Sequence, residues 1–427
     1  MIRFIQLFLT ICLAARVSAQ AVPAPGAVQS QPVLITGVTA HLGNGQVLEN
    51  AAVAFDQGLI TYVGPAAAAP EVRGQQRIEA RGQHLYPGFI AMNTDLGLVE
   101  ISAVRATVDN REVGDINSHI RSIIAYNTDS ELIPTVRNKG VLLAQVTPQG
   151  GRISGSSSAV HLDAWNWEDA ALATDEGMHL RWPAQYSYSW RERRSSRNEK
   201  YEEQVREIRQ FFEQAKAYGG TPQSAARNLS LEALLPLLEG KQRLYIHVDG
   251  ARSMQEAVLL AKDYSLTPVL VGAGEADQIL NFLKAEGVSL VLTETQRLPS
   301  RADDALDQPF RLPAILHEAG IPFAITGKGS WQQRNLPFQG GQAVGHGLPY
   351  EEAVRAMSLT PATMLGLDGQ LGSLEVGKVA TMFLSEGDAL DMRGNQVRHA
   401  FVQGRALNLD DRQKELYRKF QGKYAGE

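Results

Sequence analysis

The chain has 427 residues, a net charge of −5, and 44% apolar against 20% charged residues. That length supports one large core plus a smaller one, and the mild acidity excludes the basic footprint of a nucleic-acid or anionic-membrane binder. The single cysteine, Cys12, lies in the N-terminal apolar segment, so the chain beyond it can form neither a disulfide nor a thiolate metal site.

Residues 1–19 have the pattern of a secretory signal. Arg3 supplies the positive start, Phe4 to Ala15 is apolar apart from Gln6 and Thr10, and Val17-Ser18-Ala19 offers small residues for cleavage after Ala19. The apolar run is too short for a stable membrane span, so the expected location is periplasmic or secreted. Residues 20–32, rich in Pro, Gln and Ala, are expected to form a disordered leader. Short strands with Gly turns follow at Val33 to Ala40, Ala52 to Phe55 and Leu59 to Gly64. Arg191 to Arg197 is a basic cluster that reads as a solvated loop. Next, Tyr201, Val205, Ile208, Phe212 and Ala215 recur at the spacing of a helix with one apolar stripe.

From Leu244 onward, strands and helices alternate. Strands are expected at Leu244 to Val248, Thr267 to Val271, Val288 to Leu292 and Pro322 to Thr326. Between them lie a helix from Ser253 to Tyr264 with a Ser253–Glu256 capping box, one from Glu275 to Glu286 stopped by Gly287, and one from Arg311 to Ala319 ended by Gly320. This βαβα order implies a parallel sheet, and a long run of such units commonly closes into a (β/α)8 barrel. Thr360-Pro361 starts a late helix, and Val397 to Val402 with Gly404-Arg405 read as closing strands.

Two stretches carry a resemblance. Leu85-Tyr86-Pro87-Gly88-Phe89-Ile90-Ala91-Met92-Asn93-Thr94-Asp95 is similar to the first barrel strand of the amidohydrolase superfamily, the metal-dependent hydrolases of C–N bonds. Leu371-Gly372-Ser373-Leu374-Glu375-Val376-Gly377-Lys378-Val379-Ala380 is similar to the stretch by which that family returns to a small β-domain. Asp129 to Pro134, Gly150 to Ser158, Trp165 to Asp169 and Arg334 to Pro337 are further echoes, closest to the secreted imidazolonepropionase-like branch. The likeness runs from about Val33 to about Leu407. It implies a TIM-like (β/α)8 barrel over 87–365, a composite β-domain from 33–86 and 366–410, and a helical tail over 411–427.

The resemblance also implies a metal site. Family members carry two His on the first barrel strand, often a Lys or Glu on the fourth, a His on the fifth and on the sixth, and an Asp on the eighth. Here Asn93 and Asp95 stand at the two His positions, on one side of a strand. His247 matches the fifth-strand His, Gly272 or its neighbour stands at the sixth, and Gly327 or Lys328 at the eighth. No candidate for the fourth is apparent. Only Asp95 and His247 could ligate, against a usual minimum of three protein ligands for catalytic zinc. No cofactor is therefore expected, with zinc or another divalent metal at most weakly held.

His247 and Asp95 are the candidate catalytic pair, and Asn93, Lys328, Arg152 and Ser154 the candidate substrate-binding residues. Each has a plainer reading. His247 also suits a hydrogen-bonded histidine at a barrel mouth, Asp95 an ion-pair partner, and Lys328 a group that repels a cation. The Gly150 to Ser158 loop either cradles an anion or uses its glycines for turns. The other histidines, His179 among them, show no ligand-like spacing. Two functions remain open: a C–N hydrolase with an altered site, or a pseudoenzyme that binds a small molecule. The expected partner is a small-molecule substrate or ligand, with no nucleic acid and no membrane span; a homo-oligomer, or a heteromer with an active relative, is compatible.

Overall fold

The computed structural model describes residues 22–189, 194–220, 227–299, 301 and 303–425. The signal segment and its cleavage site lie outside the described residues, as do Arg191 to Arg193 of the basic cluster. Among the described residues no helix is long and apolar enough to cross a membrane.

One sheet draws on both ends of the chain. Its strands are β1 (Val33–His41), β2 (Val47–Asp56), β3 (Leu59–Pro65), β4 (Gln76–Glu79) and β5 (His84–Pro87) from the first part. From the last part come β16 (Met382–Ser385), β17 (Val397–Val402) and β18 (Arg405–Ala406), in the order β18-β17-β16-β5-β1-β2-β3 with β4 on β1. Alternating Val, Ile, Leu and Phe residues give this sheet its own core, including Val33, Ile35, Phe55, Leu85, Met382 and Phe401.

The second sheet is the barrel: β6 (Phe89–Thr94), β7 (Val141–Val146), β8 (Ile153–His161), β9 (Ala171–Arg181), β12 (Arg243–Val248), β13 (Val269–Gly272), β14 (Ser289–Thr293) and β15 (Phe323–Thr326). The seam between β6 and β15 is tied by side chains. Thr326 Oγ1 donates to the Met92 carbonyl at 2.7 Å, and Thr94 Oγ1 to the Gly329 carbonyl at 2.9 Å. Period-two alternation sorts the residues. Ile90, Met92, Leu143, Tyr245, Val271 and Ala324 fill the interior, while Phe89, Leu142, Ile246, Leu270 and Ile325 face the surrounding helices. The apolar stripe of the helix Tyr201–Gly219 is buried as its spacing requires, at Ile208, Phe212 and Ala215.

Several expectations need correction. β8 runs antiparallel to both β7 and β9, so one barrel strand is reversed. The six-residue link 147–152 explains it, since a parallel return needs a crossover of about a dozen residues or more. Ile153 to Ser158, expected as part of a loop, therefore lies inside a buried strand. Gly155 there holds φ +117 and passes so close to the Ile120 carbonyl that a Cβ would come within 2.4 Å.

Arg194–Arg197 is not loop but strand β11, pairing antiparallel with β10 (Tyr186–Ser189). The Ser253–Glu256 box does not form. The helix starts earlier, at Ala251–Asp263, because the Glu275 carboxylate accepts the Ala251 N–H at 2.9 Å and caps it instead. The helix expected from Glu275 breaks into a tight turn, Ala276–Ile279, and a short helix, Leu280–Ala285.

Residues 22–32 are not a free leader. The Gly26 N–H donates to the buried Asp163 carboxylate at 3.0 Å, and Gln29 bonds the Phe55 carbonyl and the Gly58 N–H at 3.1 and 2.8 Å. Their composition predicted disorder because it holds few large apolar groups. Polar ties to the folded body supply what burial cannot.

Candidate active site

Seven barrel strands deliver their C-terminal ends, and the reversed β8 its N-terminal end, to one mouth, and a cleft of about 1280 Å³ opens there. Asn93, Asp95, His247 and Lys328 all line it, on β6, β12 and the segment after β15. Arg152 and Ser154 do not. The Arg152 guanidinium is held by Glu207 of the helix Tyr201–Gly219 at 2.7 Å, and Ser154 Oγ donates to the Gly150 carbonyl at 2.7 Å. Both are spent on local structure.

The strand ends are conformationally unusual. Asn93, Ala273 and Glu294 hold φ of +49, +53 and +59, and Gly272 holds +100. Non-glycine residues in this region cluster where function over-determines the backbone. The turn at Asn93 places its N–H on Gln145 Oε1 at 3.0 Å. Asp95 accepts from Asn110 Nδ2 at 2.9 Å through one oxygen. Its other oxygen and Asn93 Oδ1 are buried and accept nothing among the described residues.

Two residues that sequence reasoning passed over complete the floor. His179 and Arg181 lie on β9, on the same face as the small Gly177, whose missing Cβ makes room for the Tyr245 ring. Arg181 pairs in register with His247, which pairs in turn with Val271, so the three stand at one level across adjacent strands. His179 stacks flat on Tyr245 at 4.8 Å, and its Nδ1 lies 2.9 Å from His247 Nε2. Burial, then the Arg181 charge, holds both imidazoles well below their ordinary pKa, so both are neutral at pH 7. Arg181 donates to Gln149 Oε1 and lines the cleft, while its Nε is buried without a partner among the described residues.

Beneath this layer the buried Glu176 carboxyl accepts from Gln145 Nε2 at 2.7 Å, from Tyr245 at 3.1 Å and from Ser157. Burial pushes its pKa above the usual carboxylate range. The signal for β9 was available in the alternation Gly177, His179, Arg181 ending at Trp182-Pro183. Its polar interior hid it from a search for alternating apolar residues.

The metal implied by the resemblance can be tested against this donor set. Among the described residues, no three or more His, Cys, Asp or Glu side chains converge closely enough to hold an ion. His247 Nε2 is turned to His179, Asp95 is shared with Asn110, and Arg181 brings a positive charge to the level of His247. Gly272, one of the two positions open for a sixth-strand ligand, holds φ +100, which strains any side chain, and a Cβ there would lie 2.6 Å from Oδ1 of the exposed Asp249, which would have to turn aside. Lys328 is exposed at the rim. These residues do not fit a catalytic zinc, which takes three protein ligands and an open position.

The profile described as Amidohydrolase family matches residues 196–407. The fold agrees with it. An amidohydrolase from Thermotoga maritima superposes with a TM-score of 0.76 over 88% of this chain and 99% of its own, at 18% identity. This chain belongs to the amidohydrolase superfamily. An ochratoxinase from A. niger is similar over 88% of this chain and 96% of its own, with a TM-score of 0.56 and 13% identity. At such identities these likenesses show the fold alone. An imidazolonepropionase from Syntrophobacter fumaroxidans is 40% identical over 74 residues, which cover 16% of this chain and 18% of that protein.

Proposed function

We propose that this chain is a small-molecule-binding amidohydrolase whose cleft takes a small amide-like compound and does not hydrolyse it by the metal-hydroxide route. The family supports the ligand class. One observation carries the rest: the remaining donors, Asp95 and His247, are each engaged by a neutral neighbour, Asn110 and His179, instead of converging with a third ligand. A metal-bound water needs such convergence for its pKa to fall towards neutrality. The test is elemental analysis of protein purified without chelator, beside a turnover screen of cyclic amides and N-acyl compounds. The expected result is metal well below one per chain and no turnover that depends on added zinc. About one tightly held zinc per chain would overturn the reading.

A second reading has its own support. The unpartnered Asp95 oxygen and the neutral His247 face one cleft, as an acid–base pair without metal requires. Turnover in the same screen that survives chelation, and falls roughly 10²–10⁴-fold in both Asp95→Asn and His247→Asn, would favour it.

A further inference from the structure

Arg181 lines the cleft without an ion pair to any carboxylate among the described residues, though Asp95, Asp249, Glu275 and Glu294 line it too. Arg137 is buried against Asp163 at 2.7 Å, Arg152 is held by Glu207, and Arg405 approaches Asp163 at 3.9 Å. Arg181 breaks this pattern. Its one bonded partner among the described residues is the neutral Gln149 amide, and its buried Nε has none. The charge acting on it is Arg111, a like charge that lines the same cleft and whose side chain, among the described residues, bonds the neutral Asn110 amide at 3.4 Å. Burial and Arg111 together depress the Arg181 pKa. A guanidinium still remains charged in a protein, so the group stays cationic in a half-buried place without a counter-ion.

Holding such a charge is costly unless an anion meets it. Arg181 lines a cleft of about 1280 Å³, which is room enough for a small ligand. A guanidinium presents its N–H groups as a planar fork that matches the two oxygens of a carboxylate. The position also matters: Arg181 stands in register with His247, at the level where the fold presents its reacting groups.

We infer that Arg181, backed by Arg111, binds the carboxylate of the cleft's ligand, which is therefore a small carboxylic acid that also carries an amide-like group. The amide half rests on the function proposed above; the carboxylate half rests on the charge arrangement alone. The ligand's anion thus occupies the region where a metal ion would be repelled.

Isothermal titration calorimetry on the purified full-length protein tests this, with N-acetylglycine, its neutral analogue N-acetylglycinamide, and inorganic phosphate as probes. N-acetylglycine should bind about ten-fold or more tightly than the amide, the scale of a charge-assisted hydrogen bond. The preference should vanish in Arg181→Gln, shrink in Arg111→Gln, and weaken with salt. Equal affinity for acid and amide overturns the inference while leaving the proposed ligand class standing. Phosphate binding that depends on Arg181, with neither organic probe bound, supports the anion site and sinks the amide-like ligand. A preference that survives Arg181→Gln, or no binding of any probe at about 10 mM, overturns the inference outright. Should Arg181→Gln fail to fold, as thermal melting would reveal, the exposed Arg111→Gln and the salt series decide it. An unchanged preference in both is then fatal.

Discussion

Asn93 sits in the left-handed region, at φ +49, a conformation in which Asn and His are both over-represented. An imidazole can therefore replace it with little backbone penalty, and the obstacle to a metal at this mouth lies elsewhere. Arg181, at the level of His247, repels a divalent ion through a partly dehydrated medium. The double change Asn93→His and Asp95→His should therefore gain only weak zinc affinity. Adding Arg181→Gln should strengthen zinc binding on the order of ten-fold or more, as one unit charge that repels a dication is removed at short range. Calorimetry with zinc on the double and triple variants checks this. Equal affinities would show that the guanidinium does not reach the ion's position. Amide hydrolysis should appear in neither variant, since Gly327 and Lys328 offer no carboxylate base at the eighth strand.

At the scale of elements, the ion cluster under the barrel is the strongest single tie. Arg137 and Asp163 are 3% and 0% exposed, and Asp163 also receives the Gly26 N–H, joining residues 22–32 to the link between β8 and β9. Removing one partner of a buried pair leaves an uncompensated charge. Asp163→Asn should therefore destabilise the protein by about 3–5 kcal/mol. A lower urea midpoint should come with faster proteolytic nicking of residues 22–32; an unchanged midpoint would refute the role given to the pair.

The same elements show what the sequence could reveal. Strands β12 to β15 and the helix Tyr201–Gly219 were legible because their faces are apolar at a clean period. Strands β8 and β9 were not, because Ser157, Glu176, His179 and Arg181 put polar groups inside the barrel, where hydrogen bonds and not hydropathy set the register. Asn93, Asp95, His247 and Lys328 were found through the first, fifth and eighth strands. Arg181 could not be found before its strand was.

Across the whole molecule, sheet and barrel form one packed body. Phe383 of β16 fills the space left by Gly140, and Tyr86, Phe383 and Val402 join the barrel's outer core. A polar chain crosses the same junction. His41 contacts Glu351 at 2.7 Å and His84 at 3.0 Å, Tyr86 bonds Tyr350 at 2.8 Å, and Tyr350 donates to Asp388 at 2.6 Å.

Burial lowers the pKa of His84, His161, His179, His247 and His399. Below the ordinary histidine value of about 6.5, the unfolded chain then binds more protons than the folded one. Stability should be level above that pH and fall as the solution is acidified through it. Thermal melting between about pH 8 and 5 should show this loss, and His179→Gln should flatten it. A melting temperature that rises on acidification would contradict the sign.

Gly272 bears on which positions of the mouth tolerate change. A histidine there would meet two barriers at once, the positive φ and the Asp249 carboxylate in the space of its Cβ. A side chain at this position would carry that backbone strain whichever way it pointed. The exposed Asp249 carboxylate would also have to turn aside. New side chains thus enter the mouth most readily at strand ends that already carry one, such as Asn93 and His247, and least readily on β13.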